Sequence, residues 1–306
     1  MKIYINRTPV SGPWGGGNKT VSALASKLEE RGHEVVYELA RDLDIIFCFD
    51  PRPNQRGEWY QTYLDYKSTF KDTKIVQRVG DLGTHGKPEL TELVKQTVEL
   101  SDYIIFPSRW AKEYLQSISQ PSIVIDNAPL NEFFKNRSHS LQRTDELKIV
   151  THHWSTNPKK GFEYYKFLDD YIAENETNIK FTYIGRLPDN LRFKTSGYHP
   201  PTGDNSVLAS LISKNDIYLT ASEEEAGANH VLEALACALP VVYHKNGGSI
   251  ANYCKDYGVE YDSNESLLDA ISKIDQNYEH FKKNSIKFDR NIDQAIEEYV
   301  EIIENV

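Results

Sequence analysis

Two glutamates, Glu225 and Glu233, bracket the first part of the segment EEEAGANHVLEALACALPVV, residues 223–242. Ala226, Gly227 and Ala228 follow Glu225, and such small residues let a ligand come close to the backbone. A helical pattern follows, so their N–H groups would stand at the positive end of a helix, a place that suits an anion. Carboxylates accept hydrogen bonds from hydroxyls but repel phosphate. If Glu225, before the helix, and Glu233, two turns into it, flank one pocket, the fitting ligand has hydroxyls at both ends and phosphate between them, as in a nucleotide-sugar. The plainer alternative is that acids near a helix start only complement its dipole.

Other loops carry residues of similar promise. In RTPVSGPWGGGNKT, Gly15, Gly16 and Gly17 allow close backbone approach, although the GxGxxG spacing of a dinucleotide site is absent. In GDLGTHGK, Asp81 and His85 lie where an acceptor hydroxyl could meet a base, or Asp81 only caps a turn. In THHWSTNPKKGFEYY, Lys160 and Gly161 open a helix, and Lys160 could balance the charge of a diphosphate. Arg186 in IGRLPDN is a second candidate for phosphate, and Tyr198 and His199 in GYHPPTGDNS are candidates to stack on a nucleotide base.

The elements that must position these residues form an alternating pattern. Short apolar runs such as KIYIN, IIFCF, KIVQRV and YIIF alternate with amphipathic stretches, first over residues 2–125 and again from residue 148 onward. That alternation predicts α/β architecture with parallel sheets. The polar, aperiodic stretch from Arg137 to Glu146 reads as the linker. The expected domains are residues 1–136 and 147–285, with a final helical segment, 286–306, packing back on the first. Doubly wound sheets bind ligands at the carboxyl ends of their strands, so two such domains facing a cleft would place the site there.

Composition excludes several classes. The net charge of −10 argues against nucleic acid as the main partner. No apolar run approaches the ~20 residues that span a bilayer. The chain opens directly on a strand pattern, with no visible signal peptide. Lys282, Lys283, Lys287 and Arg290 form a local basic patch that leaves peripheral membrane contact open. The cysteines, Cys48, Cys237 and Cys254, are widely separated, and no CxxC or HExxH occurs. A cytoplasmic protein with no structural metal is the expectation.

Taken in order along the chain, the motifs resemble glycosyltransferase family 4, the retaining nucleotide-sugar transferases of GT-B fold. GGGNKTVSALASKLEERGHEVVY is similar to that family's glycine loop and first helix. SDYIIFPSRWAKEYL and IDNAPLNEFF resemble its late N-domain segments. NPKKGFEYY is similar to its Lys-Gly helix start, and EAGANHVLEALACALPVV to its Glu-x7-Glu element. NGGSIANYCKDYGVEY resembles the glycine turn that follows. The resemblance implies two Rossmann-like domains and a hexosyltransferase that moves a sugar from a nucleotide-diphosphate donor, with a UDP-sugar favoured, to an acceptor hydroxyl with retention. It implies no metal and no cofactor beyond the donor itself. By this likeness Glu225 contacts sugar hydroxyls, Glu233 holds the ribose, Ala226 to Asn229 offer backbone to sugar and phosphate, and Lys160 binds the diphosphate. Departures are Glu-Ala-Gly-Ala from Glu225 to Ala228 where the family has Glu-Gly-Phe-Gly, Ser155 in place of an arginine, and Gly80 in place of a histidine. Arg186 is a possible substitute for the missing arginine. The base is either Asp81 or the departing phosphate itself. A nucleotide-sugar epimerase of the same fold and a decayed nucleotide-sugar-binding module are the alternatives.

Overall fold

The computed structural model describes residues 1–10, 16–116 and 118–306. The chain divides into two units, Met1–Asn127 with Ile292–Val306, and Ala128–Asn291.

The first unit holds a parallel sheet of β1 (Lys2–Ile5), β2 (Glu34–Val36), β3 (Ile45–Cys48), β4 (Lys74–Arg78), β5 (Tyr103–Phe106) and β6 (Ser122–Val124), in the order β2-β1-β3-β4-β5-β6. Its helices are α1 (Gly16–Glu30), α2 (Tyr60–Thr69), α3 (Pro88–Leu100) and α4 (Arg109–Leu115). Tyr4, Ile46, Cys48 and Ile75 turn one sheet face onto Tyr60 and Tyr63 of α2. The second unit begins with α5 (Asn131–Lys135). Its sheet comprises β7 (Leu147–His153), β8 (Ile179–Gly185), β9 (Gly197–His199), β10 (Ile217–Thr220), β11 (Val241–His244) and β12 (Gly258–Tyr261), in the order β12-β11-β10-β7-β8-β9. Helices α6 (Phe162–Glu174), α7 (Asn205–Ser213), α8 (Asn229–Ala236), α9 (Ser249–Cys254), α10 (Asn264–Gln276) and α11 (Tyr278–Ile286) accompany it. Alternate residues serve opposite faces. Val150, Ile184, Tyr218 and Val241 join one core layer, while Ile149, Tyr183, Leu219 and Val242 join the other. Strands buried on both faces explain why their sequences are nearly continuous apolar runs.

Two boundaries differ from the sequence expectation. The first lies after Asn127, not 136, because α5 packs on α7 and α8. Arg137 then locks the chain to the second unit, donating to the carbonyls of Ala236, Ile286 and Phe288 and lying over the Phe134 ring. The returning segment starts at Ile292, not 286, because α11 and Phe288 belong to the second unit.

The returning helix α12 (Ile292–Asn305) packs on α1, where Glu297 bridges Lys27 and Arg31 at 2.7 Å each. Deeper in, buried Arg78 donates to Tyr299 Oη at 2.9 Å and to Asn127 Oδ1 at 2.8 Å. Removing one acceptor strands a buried guanidinium N–H, so Tyr299→Phe should cost about 1–3 kcal/mol in urea unfolding. An unchanged midpoint would show the bond to be dispensable. Among the described residues, no helix is long and apolar enough to cross a membrane. The three cysteines are buried, and burial pushes all three thiols up.

Candidate functional site

In the second sheet β7 and β10 lie side by side, but the chain leaves them toward opposite edges. Such a switch point opens a crevice at the strand carboxyl ends. The loops that follow these two strands carry Lys160 and Glu225.

After β7 the chain turns through a short 3-10 segment, Pro158–Lys160, whose entry is fixed by Asn157 Oδ1 accepting the Lys159 N–H at 2.9 Å. Gly161 then takes φ +69°, and a Cβ there would stand 2.4 Å from the Ala221 carbonyl oxygen. Only glycine permits both the left-handed backbone and this approach of the two loops. Tyr165 of α6 fastens them: its hydroxyl accepts the Ala221 N–H at 2.9 Å and bonds His153 Nε2 at 2.6 Å.

Lys160 Nζ and Glu225 Oε1 form an ion pair whose side chains are only 12% and 14% exposed. Beside it Lys159 pairs with Glu224, a non-glycine residue held at φ +48°. Main-chain bonds hold this loop on two sides. Glu223 N–H reaches the Lys159 carbonyl at 2.8 Å. Glu224 and Glu225 donate to the carbonyls of Asn246 and Gly247 at 2.8 and 3.2 Å, and Ser249 donates back to the Glu225 carbonyl at 2.9 Å. Gly248, at φ +68°, makes this ladder possible, since its Cβ would lie 2.6 Å from that carbonyl oxygen. The loop is thus fixed before any ligand arrives, the condition under which polar groups stabilise charge most strongly.

Glu233 lies on α8, 5% exposed, with Oε2 2.8 Å from His152 Nε2. Tyr218 Oη holds the other ring nitrogen of His152 at 3.0 Å. His230 bridges this pair to the first, with its Nε2 2.9 Å from Thr220 Oγ1 and its ring centroid 5.0 Å from that of His153. Burial lowers the His230 pKa to about 3. That value already includes the smaller effects of Lys160 and His152, which lower it, and of Glu225 and Glu233, which raise it. Burial also drives His153 well below the usual histidine range, with His230, Lys160 and His152 adding to the effect. Glu225, Lys160, His230, His153, His152 and Glu233 therefore form one electrostatic cluster. The histidines were the part missed in the sequence: His152–His153 reads only as a strand end, and His230 sits in a helical pattern.

Other expected site residues fall differently. Asn229 is the first residue of α8 and Ala226 is buried before it, but the Ala228 N–H is already used by Ser249 Oγ at 3.1 Å. Arg186 is exposed, with its own N–H on the His153 carbonyl at 3.0 Å. His199 is exposed on the edge strand β9 rather than in a loop, and Tyr198 beside it bonds the Gly185 carbonyl at 3.0 Å. Gly16, Gly17 and Asp81 belong to the first unit, and Gly15 lies outside the described residues. The Asp81 carboxylate is occupied by Lys87 Nζ at 2.7 Å and the Gly83 N–H at 2.9 Å. Burial would raise its pKa, yet these partners hold it below the usual carboxylate range, which weakens it as a base. A side chain at Gly80 would strike Arg78 Nη1, 2.8 Å from the place of its Cβ. Among the described residues, no three His, Cys, Asp or Glu side chains are grouped to hold a metal ion.

The pattern of one protein family, described as "Glycosyl transferases group 1", matches residues 134–288. No curated protein matches the sequence. Several solved structures share its fold. Sucrose-phosphate synthase from Thermosynechococcus elongatus superposes with a TM-score of 0.72 at 14% identity, over 99% of this chain and 98% of that one. HepE from Anabaena, solved with UDP and glucose, gives 0.69 at 13% identity, over 100% and 99%. WaaG, a glycosyltransferase involved in lipopolysaccharide biosynthesis, gives 0.67 at 14% identity, over the full length of both. At such identities the likeness establishes the fold, two Rossmann-like units of GT-B type.

Proposed function

The chain belongs to the family of group 1 glycosyl transferases, and from that premise we propose that it transfers a sugar from a nucleotide-diphosphate donor to an acceptor hydroxyl, with retention and without a metal ion. The observation that carries this reading is the Lys160–Glu225 pair at the β7–β10 switch point. An arriving donor replaces one ion pair with two better-matched contacts: sugar hydroxyls donate to Glu225, and the diphosphate takes Lys160. Glu233, oriented by His152, accepts the ribose hydroxyls. Gly227 and Asn229 lie at the start of α8, whose positive end favours the phosphates.

Departure of the nucleotide leaves an oxocarbenium-like sugar and gathers charge on the terminal phosphate. Lys160 is held in place to meet that charge, and exposed Arg186 is available to join it. His153 and His230, both held neutral, leave Lys160 free of a competing histidine cation. Asp81 being taken by Lys87, the departing phosphate is the better candidate to accept the acceptor proton. The donor nucleoside is proposed as uridine, because HepE of the same fold was solved with UDP.

Incubation with UDP-, GDP- and ADP-glucose without acceptor tests this reading. Slow release of UDP, unchanged by excess EDTA, is the expected result. No release from any donor would overturn it, isomerised donor would point to an epimerase, and loss of activity with EDTA would remove the metal-independent part.

A further inference from the structure

The first unit has its own switch point, between β1 and β3, where the chain departs toward β2 on one side and β4 on the other. A cavity of about 420 Å³ opens there, lined by Asn6, Arg7, Asp50, Arg52, Asn54 and Arg56 among others. Three arginines and one carboxylate in its wall stand out in a chain of net charge −10. Asp50 is spent on Arg52, at 2.9 and 2.6 Å. Arg56 lines the cavity as well, with Nη1 on the carbonyl of Tyr37, another lining residue, at 2.7 Å and Nη2 paired with Glu38.

Arg7 has no hydrogen bond or ion pair among the described residues. Burial lowers its pKa; Asp50 opposes this, and Arg78 and Arg52 add to it. Its guanidinium lies against the first turn of α1, where a Cβ on Gly17 would stand 3.1 Å from Nη1. A guanidinium pressed between other cations and the positive end of a 15-residue helix is stabilised by one kind of ligand, an anion. The Arg7 fork matches carboxylate or phosphate, and phosphate brings the larger charge and more acceptor oxygens to a wall that holds three arginines.

We propose that this cavity binds a phosphate group carried by the acceptor, either a soluble phosphate ester or a lipid headgroup, with Arg7 as its main donor. The word "acceptor" rests on the sugar-transfer reading; the phosphate site does not.

Calorimetric titration of the full chain with inorganic phosphate, and flotation with vesicles of phosphatidylcholine with or without one-fifth phosphatidylglycerol, test the proposal. Binding of inorganic phosphate or of the anionic vesicles is expected, and which of the two binds identifies the source. Arg7→Gln should weaken that binding about tenfold or more, as expected for hydrogen bonds to a charged group. Arg56→Gln, at an exposed side chain, should weaken it about threefold and decides the matter alone if Arg7→Gln fails to fold. Failure of both probes to bind, or wild-type binding by the folded variants, overturns the proposal. Arg7-dependent binding without hydrolysis of any nucleotide-sugar would keep this site and remove sugar transfer. Donor hydrolysis with neither probe bound would do the reverse.

Discussion

Glu225→Gln is expected to lower turnover about a hundredfold or more, the usual loss when a fixed polar contact to the reacting region is removed. The substitution keeps the size but turns one acceptor oxygen into a donor and removes the charge that holds Lys160 in place. Lys160→Met should fall as far, because the phosphate loses its ammonium. The two residues act as a unit, so the double variant should be about as inactive as either single one rather than the product of both. The check is UDP release over time, with circular dichroism showing that each variant is folded. Near-normal turnover in either single variant would remove that residue from the site.

Acid should destabilise the protein steeply below about pH 6.5. An unfolded histidine takes up its proton near 6.5, whereas His153 resists protonation far below that value and His230 resists it down to about 3. Between these limits the unfolded chain binds more protons, so stability rises with pH. This contribution is whole above pH 6.5 and is lost as pH falls. Each such histidine adds a slope of about 1.4 kcal/mol per pH unit. Urea titrations should therefore be nearly flat between pH 7.5 and 7 and steepen through pH 6.5, approaching a loss of roughly 3 kcal/mol per unit from the two together near pH 5. His230→Asn should halve that slope. A flat dependence would mean that these rings take up protons as readily in the folded protein as in the unfolded chain, and the electrostatic picture around Lys160 would then fail.

Much of this architecture was legible in the sequence because buried parallel strands are apolar on both faces and announce themselves as runs. The helix α2 was not, since Tyr60 and Tyr63, the residues it buries, register weakly in any apolar pattern. The domain boundary was misplaced because α5 is only five residues long and the next segment, though polar, is held by Arg137 through carbonyls that no local pattern reveals. At the site, the spacing of Glu225 and Glu233 pointed to chemistry, and the structure pairs Glu225 directly with Lys160 and sets His230 in the field of both glutamates. Sequence spacing did not reveal that link, because β7, β10 and α8 meet only in the folded sheet. Nor could it reveal that Asp81 would be claimed by Lys87, six residues later in the same loop.

The most direct test of the central claim is a crystal structure of the chain soaked with UDP-glucose. The diphosphate should lie within hydrogen-bonding distance of Lys160 Nζ, with sugar hydroxyls on the Glu225 carboxylate and the original ion pair opened. A donor bound elsewhere, with Lys160 still closed on Glu225, would contradict the account.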